Sequence, residues 1–213
     1  MKGNSIGGPS ALTLCVMGGK WEPSIRAGGV WRLLTAIVLH AGVLHIASNI
    51  FFQLRFGYVT EKRWGTIRWV TVYVLAGLMA SLWSTVLGPK SVSVGASGAL
   101  FGIIAADLTY LAYNWQHIPH NRQEAIMLVL VAVINLLLGM GSGIDNYAHL
   151  GGLVGGLFLG VAMPPHLEKR PLENVFRAAA WFLFGGLALL FMLLIWAGNP
   201  WPEYYGPTGC WGA

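Results

Sequence analysis

Six apolar blocks separated by short polar stretches dominate the chain. They run Ala41–Tyr58, Ile67–Leu87, Val92–Trp115, Ala125–Met140, Tyr147–Met163 and Ala178–Ala197. A helix that crosses a bilayer at right angles needs ~20 apolar residues, and several blocks are shorter. The fourth and fifth are the least convincing alone, but Gly is tolerated in membrane helices that pack closely. The pattern predicts an all-α fold, a polytopic membrane helix bundle with about six transmembrane helices. No internal repeat marks a second unit. Residues 1–40 read as an N-terminal segment and outer loop, and 41–163 as the core membrane domain. Residues 164–213 read as a cytoplasmic linker, an extra C-terminal transmembrane helix and a short outer tail.

Composition agrees with the pattern. Hydrophobic residues make up 55% of the chain and charged residues 10%, against roughly 25% charged in soluble domains. A membrane β-barrel would show short alternating segments instead. The net charge of +5 does not point to nucleic acid, because the basic residues fall between apolar blocks, as in loops facing anionic lipid. The lipid bilayer is the expected partner. The first ten residues lack the apolar core of a cleavable signal, and Gly3 is not adjacent to Met1, so myristoylation is not expected. Cys15 and Cys210 both fall on the expected outer side, where a disulfide is open to them, but two unpaired thiols are the plainer reading, since spacing alone does not license a bridge.

Charge fixes the expected orientation. Arg55, Lys62, Arg63 and Arg68 lie at or between the facing ends of blocks one and two, Arg122 between three and four, and Lys169, Arg170 and Arg177 between five and six. The alternate loops hold only Lys90. The positive-inside rule places the first set in the cytoplasm, so blocks one, three and five run from outside to inside. Residues 1–40 would then be outside, although they carry Lys2, Lys20, Arg26 and Arg32. A helix upstream, ending near Ala11–Met17, would resolve that conflict. The expectation is that a first core helix is missing.

The candidate chemistry lies at the outer ends. Ser97 stands in Gly95-Ala96-Ser97-Gly98, and His149 opens block five. Polar residues are expensive within a membrane and mark function, and histidine suits proton transfer near neutral pH. Counted from block starts, Ser97 lies about five residues in and His149 about two, or ~8 Å and ~3–4 Å down a helix. Gly95, Gly98 and Gly102 thin one helix, and Gly151, Gly152, Gly155 and Gly156 the other, so their backbones can approach. A Ser–His dyad results, with Ser97 as nucleophile and His149 as base, against the plainer alternative of helix packing. His45 and Asn49, at i and i+4, share a helical face and form an expected oxyanion wall with the α-helix N-terminus at Ser97. No carboxylate is placed to orient His149; Asp145 lies on the outer loop, and Asp107 is expected to pair with a neighbouring helix or a cytoplasmic group. Phe101, one turn after Ser97, is the candidate ring to stack on His149. Metal binding by His40, His45 and His149 is the competing use, but no HExxH accompanies them. No metal and no other cofactor is expected. His117, His120 and His166 fall in predicted cytoplasmic loops and are expected to be solvated.

Between Trp31 and Met163 the chain resembles a rhomboid intramembrane serine protease. The matching pieces are Trp31-Arg32, His45-x-x-x-Asn49, Gly57-x-x-x-Glu61-x-x-x-Gly65, Gly95-Ala96-Ser97-Gly98 and Ala148-His149-x-x-Gly152-x-x-x-Gly156. The resemblance implies Ser97 and His149 as the catalytic pair. It implies His45, Asn49 and backbone N–H groups as the oxyanion hole, and an aromatic such as Phe101 after the serine. It implies an endopeptidase cleaving transmembrane protein substrates near the outer or luminal membrane face. Block six resembles an extra helix common in eukaryotic members, implying a secretory-pathway or plasma membrane, with the bacterial inner membrane as the alternative. A catalytically inactive rhomboid-like binder of membrane client proteins is the second reading. A transporter is the third, but it would need polar groups at mid-bilayer.

Overall fold

A computed structural model describes residues 7–89, 91–140, 144–168, 171–197 and Cys210. Lys2, Lys90, Lys169 and Arg170, used in the charge reading, lie outside the described residues, as does the C-terminal tail apart from Cys210. The described residues are helical apart from turns, loops and one isolated bridge between Lys20 and Ser93. Three short helices come first: α1 (Ala11–Met17), α2 (Glu22–Arg26) and α3 (Arg32–Val38). Block one then forms α4 (Val43–Phe52), which passes through a π turn at Gln53–Gly57 into α5 (Tyr58–Trp64). The other blocks become α6 (Thr66–Leu87), α7 (Ser97–Tyr113), α8 (Asn121–Gly139), α9 (Asn146–Ala162) and α10 (Glu173–Ala197). By length and apolarity α6, α8 and α10 qualify as spans, and α3 with the α4–α5 rod forms a pair bent by 87°.

Two of these elements differ from the sequence reading. Block three was expected to be helical from Val92, but α7 starts at Ser97. Gly95 stops the helix from extending backwards, because its φ of +130° lies where side chains are disfavoured. The segment before it is held extended by Lys20 N–H to Ser93 O (2.9 Å) and by Gly95 N–H to Ala36 O (2.8 Å). The basic cluster after block one also lies on helix. Arg55 is in the π turn, Lys62 and Arg63 are in α5, and Gly65 alone separates α5 from α6.

The bundle centres on α6, α7 and α9. Between α7 and α9 the glycines recur every fourth residue on both helices, so they meet as a ladder. A Cβ on Gly152 would strike the carbonyl oxygen of Gly98, and one on Gly156 would strike the carbonyl oxygen of Gly102. One on Gly160 would lie 2.7 Å from Ala106 Cα. Lipid tails are as apolar as leucine, so helices in a membrane associate through close packing of this kind. Ala80 and Ala76 of α6 fill the spaces beside Gly98 and Gly102. Below them Met79, Ile103, Leu159 and Phe184 close the interior. Trp83 of α6 stacks on Phe191 of α10, ring centroids 4.8 Å apart.

At one end of the bundle Cys15 and Cys210 form a disulfide, Cα atoms 5.8 Å apart. The plainer reading of two unpaired thiols is thereby corrected in favour of the disulfide left open beside it; a pairing across 195 residues is not visible in sequence spacing. Trp21 and Val92 pack around it. Toward the opposite end Arg63 of α5 is bonded to Glu124 of α8 (2.5 and 2.8 Å) and lies 3.5 Å from Asp107 of α7. The expected pairing of Asp107 with another helix is present. His166 is not solvated as expected: its side chain is only 3% exposed and lies 3.1 Å from Glu173 of α10, stacked on Tyr113. His117 is half-exposed beside Glu168.

The ladder predicts a sharp contrast between glycines. Gly152→Ala forces a methyl into a backbone with no room for it and should destabilise the protein by about 1–3 kcal/mol. Gly185→Ala, where nothing lies within 4 Å, should be neutral or stabilising by up to about 1 kcal/mol. Thermal unfolding of both variants in one detergent compares them. Equal melting temperatures would remove the ladder from the account.

Candidate active site

Ser97 is the first residue of α7 and His149 the fourth of α9. The depths expected from block starts are therefore corrected. Ser97 lies at the helix mouth and His149 one turn in, and the stagger of the two helices aligns them. His149 Nε2 and Ser97 Oγ are 2.9 Å apart. The nearest rung of the ladder is one residue beyond Ser97 and three beyond His149, so backbone contact fixes this distance.

His149 is buried, with 4% of its surface exposed. Its Nδ1 has no hydrogen-bond partner among the described residues. Phe101 supplies the orienting contact instead. Its ring lies parallel to the imidazole at 9°, with centroids 4.2 Å apart. Aromatic faces at this separation attract by more than their buried area alone. Asp145, assigned to the outer loop by the sequence, caps α9 by accepting from Ala148 N–H at 3.0 Å. It also accepts from the Ser84 hydroxyl of α6.

His45 reaches the site from α4. Its Nδ1 accepts from Ala41 N–H at 3.2 Å, which places the proton of the neutral ring on Nε2. The ring lies directly over Gly95. A Cβ there would be 2.7 Å from His45 Cε1 and 2.8 Å from Nε2, and 3.8 Å from Ser97 Oγ. Gly95 thus serves both the turn and the approach of His45. Asn49 donates one amide hydrogen to His45 O at 3.0 Å, which leaves its second N–H available. Asn49 shares a cavity of about 140 Å³ with His45, Ser97, Phe101 and His149. A helix start leaves N–H groups without intrahelical partners, and those of Ser97 and Gly98 are of this kind. His40 turns away, its Nδ1 3.1 Å from Val38 O, with its ring edge against His45.

A larger cavity of about 390 Å³ opens on the other side of Ser97. Ala36, Ile37, Gly77 and Ala80 form its apolar wall, and Lys20, Ser81, Ser84 and Asp145 its polar end. None of these polar residues was singled out for the site from sequence. Ser81 and Ser84 carried a signal, as hydroxyls inside an apolar block, and Asp145 carried another, as a cap residue just before one. Asn135 of α8 lines the smaller cavity and was also missed.

A family model described as Rhomboid domain matches residues 27–166. RHOMBOID-like protein 7 of Arabidopsis thaliana is 38% identical over 174 residues, which cover 81% of this chain and 56% of that protein. Rhomboid-like protease 1 of Toxoplasma gondii is 34% identical over 176 residues, covering 81% and 60%. Rhomboid protease GluP of Bacillus subtilis is 37% identical over 188 residues, covering 85% and 36%. The chain spans about half the length of the curated relatives it matches.

The geometry at Asn49 separates two roles. Asn49 lines the cavity beside Ser97, and as an oxyanion donor its replacement in Asn49→Ala should lower kcat ~10–1000-fold, at and below the range for losing one such donor. Its melting temperature should change little. A loss of stability of about 0.6–2 kcal/mol with kcat per folded molecule unchanged would make Asn49 interhelical glue instead.

Proposed function

The chain belongs to the rhomboid family, and on that premise we propose that it is an intramembrane serine endopeptidase acting through Ser97 and His149. The observation that carries the reading is the 2.9 Å contact between His149 Nε2 and Ser97 Oγ, held between two helices whose backbones already touch. The protein is an integral membrane protein, and its substrates in this reading are transmembrane proteins.

The chemistry follows from the positions. His149 Nε2 accepts the Ser97 proton as Oγ attacks a substrate carbonyl carbon, and a tetrahedral intermediate forms. Its oxyanion faces the free N–H groups at the start of α7, His45 Nε2–H and the second Asn49 N–H. Donors already in place stabilise charge where it develops, which is usually the largest single contribution to such catalysis. His149 then returns the proton to the leaving amine, and the acyl chain stays on Ser97. Water, activated by the same imidazole, releases it. The larger cavity beside Ser97 gives room for a substrate side chain and for that water. A peptide bond inside a helix is shielded by its own hydrogen bonds, so the substrate must unwind locally first. Small or helix-breaking residues near its cleavage site lower that cost.

The proposed orientation puts Ser97 and His149 near the outer face. Arg63, Arg68 and Arg122 mark the cytoplasmic end under the positive-inside rule. The Cys15–Cys210 disulfide lies at the opposite end, which suits an oxidising compartment and supports a plasma, secretory-pathway or bacterial inner membrane.

Ser97→Ala and His149→Ala should each abolish cleavage of a reporter transmembrane substrate, and the double variant should be no worse, because such residues act as a unit. A fluorophosphonate probe should label the wild type at Ser97 and leave Ser97→Ala unlabelled. Full activity in either single variant would overturn the assignment, and a folded wild type that neither labels nor cleaves would favour a client-binding role.

Orientation is tested separately. Cysteines replacing Val30 and Arg122 should react with a membrane-impermeant reagent from opposite sides, Arg122→Cys from the cytoplasm. The reverse pattern would move the site to the other face.

A further inference from the structure

The strongest feature not used by the dyad is a buried lysine above it. Lys20 is 1% exposed, although lysine is almost never fully buried without partners. Its ammonium donates to Gly88 O and Ser91 O at 2.9 Å each, to Ser91 Oγ at 3.2 Å and to Ser84 O at 3.4 Å. Asp145 Oδ2 lies 4.0 Å away. The Lys20 backbone meanwhile pairs in both directions with Ser93, at 2.9 and 3.0 Å. One residue therefore grips the outer end of α6, the extended segment leading into Ser97, and the carboxylate that caps the helix of His149.

We propose that Lys20 and Asp145 are positioning residues for the Ser97–His149 pair, a latch that sets the strand entering α7 against the start of α9. The inference rests on the protease reading above. Neither residue touches the reacting atoms. Asp145 holds the first turn of α9 through Ala148 N–H, one residue before His149, and holds α6 through Ser84. Lys20 holds the segment at Ser91 and Ser93, four to six residues before Ser97. The ladder between α7 and α9 fixes their separation, and the latch fixes what lies above it.

The charge on Lys20 supplies a distinctive readout. Burial lowers its ammonium from the ordinary value of 10.5 to about 8, against the opposing pull of Asp145 and Glu22. The charged groups around it are Asp145 at the start of α9, Glu22 on α2 and Arg32 on α3, the last bonded to the neighbouring Gly19 O. His45 lines the same cavity. The described residues of α6 and of the segment entering α7 offer Lys20 only carbonyls and the Ser91 hydroxyl. Charge-assisted hydrogen bonds are roughly twice as strong as neutral ones, so the latch is tight below about pH 8 and weakens above it. Stability moves the other way. The folded value lies below the unfolded one, so the unfolded chain binds more protons between about 8 and 10.5, and this group's contribution to stability rises with pH across that window. A loss of activity there is thus not unfolding driven by Lys20.

The test is kcat against pH for purified full-length protein in micelles with a reporter transmembrane substrate, alongside melting temperatures. Wild type should lose turnover as pH rises through about 8 while staying folded. Lys20→Met should have lost that alkaline limb and turn over ~10–100-fold more slowly at neutral pH, as expected of reacting groups displaced by up to ~1 Å. Asp145→Asn removes a charge that favours the ammonium, so its limb should move to lower pH. A wild-type limb retained in Lys20→Met overturns the proposal, as does an unmoved limb in Asp145→Asn. If Lys20→Met does not fold, the Asp145→Asn profile decides. A wild type that neither labels with fluorophosphonate nor cleaves overturns the protease reading and this inference with it. A wild type that labels and cleaves without an alkaline limb overturns the latch alone.

Discussion

Direct backbone contact between α7 and α9 is the constraint on which the site depends. Inside a bilayer there is little hydrophobic gain from pressing two helices together, so their spacing is set by how closely their surfaces fit. Here glycines at 98 and 102 meet glycines at 152 and 156, and Gly160 meets Ala106. The helices cannot drift closer, because carbonyl oxygens already sit where a methyl would be. A small shift outward would lose dispersion contacts along the whole ladder. A serine on one helix and a histidine on the other therefore inherit a distance that neither side chain has to enforce.

Around that rigid pair the polar groups separate into two levels. The level of Ser97 holds His45, Asn49, Lys20 and Asp145. The other holds Arg63 with Asp107 and Glu124, and His166 with Glu173 and Arg177. Between them the interior is apolar, closed by residues such as Met79, Ile103 and Leu159. Ion pairs of this kind cost desolvation and are weak evidence for stability. Arg63 nonetheless joins α5, α7 and α8 at one point, which fixes how those helices meet. The level of Ser97 and the level of Arg63 can thus differ in polarity demands without sharing a residue.

Hydropathy made the architecture legible, because six apolar blocks became six long helical rods. It did not reveal where α7 begins. Val92, Val94 and Ala96 are as apolar as the helix that follows, so only the backbone at Gly95 separates extended chain from helix. The four-residue spacing of small residues foretold close approach, and it brought Ser97, His149 and Phe101 into contact as their positions suggested. His45 and Asn49 arrived at the same place because i, i+4 spacing is a local property. Lys20 was opaque for the opposite reason. The hydrogen-bond acceptors of its ammonium lie 64 to 71 residues away, and a lysine in a basic N-terminal stretch looks solvated. The same holds for His166, whose burial depends on Tyr113 and α10, and for the cysteine pair.

That cysteine pair carries a topological consequence. A covalent bond between residues 15 and 210 means that both lie on one side of the membrane. The chain between them must then cross the bilayer an even number of times. Length and apolarity vouch for α6, α8 and α10, and α3 with the α4–α5 rod, counted as one bent span, brings the number to four. The two remaining helices, α7 and α9, have 17 residues each and are short by the same measure. Parity forbids counting one without the other, and the ladder that joins them at matched depth demands the same. The two helices that carry Ser97 and His149 thus cross together or not at all, for a reason that owes nothing to their hydrophobicity.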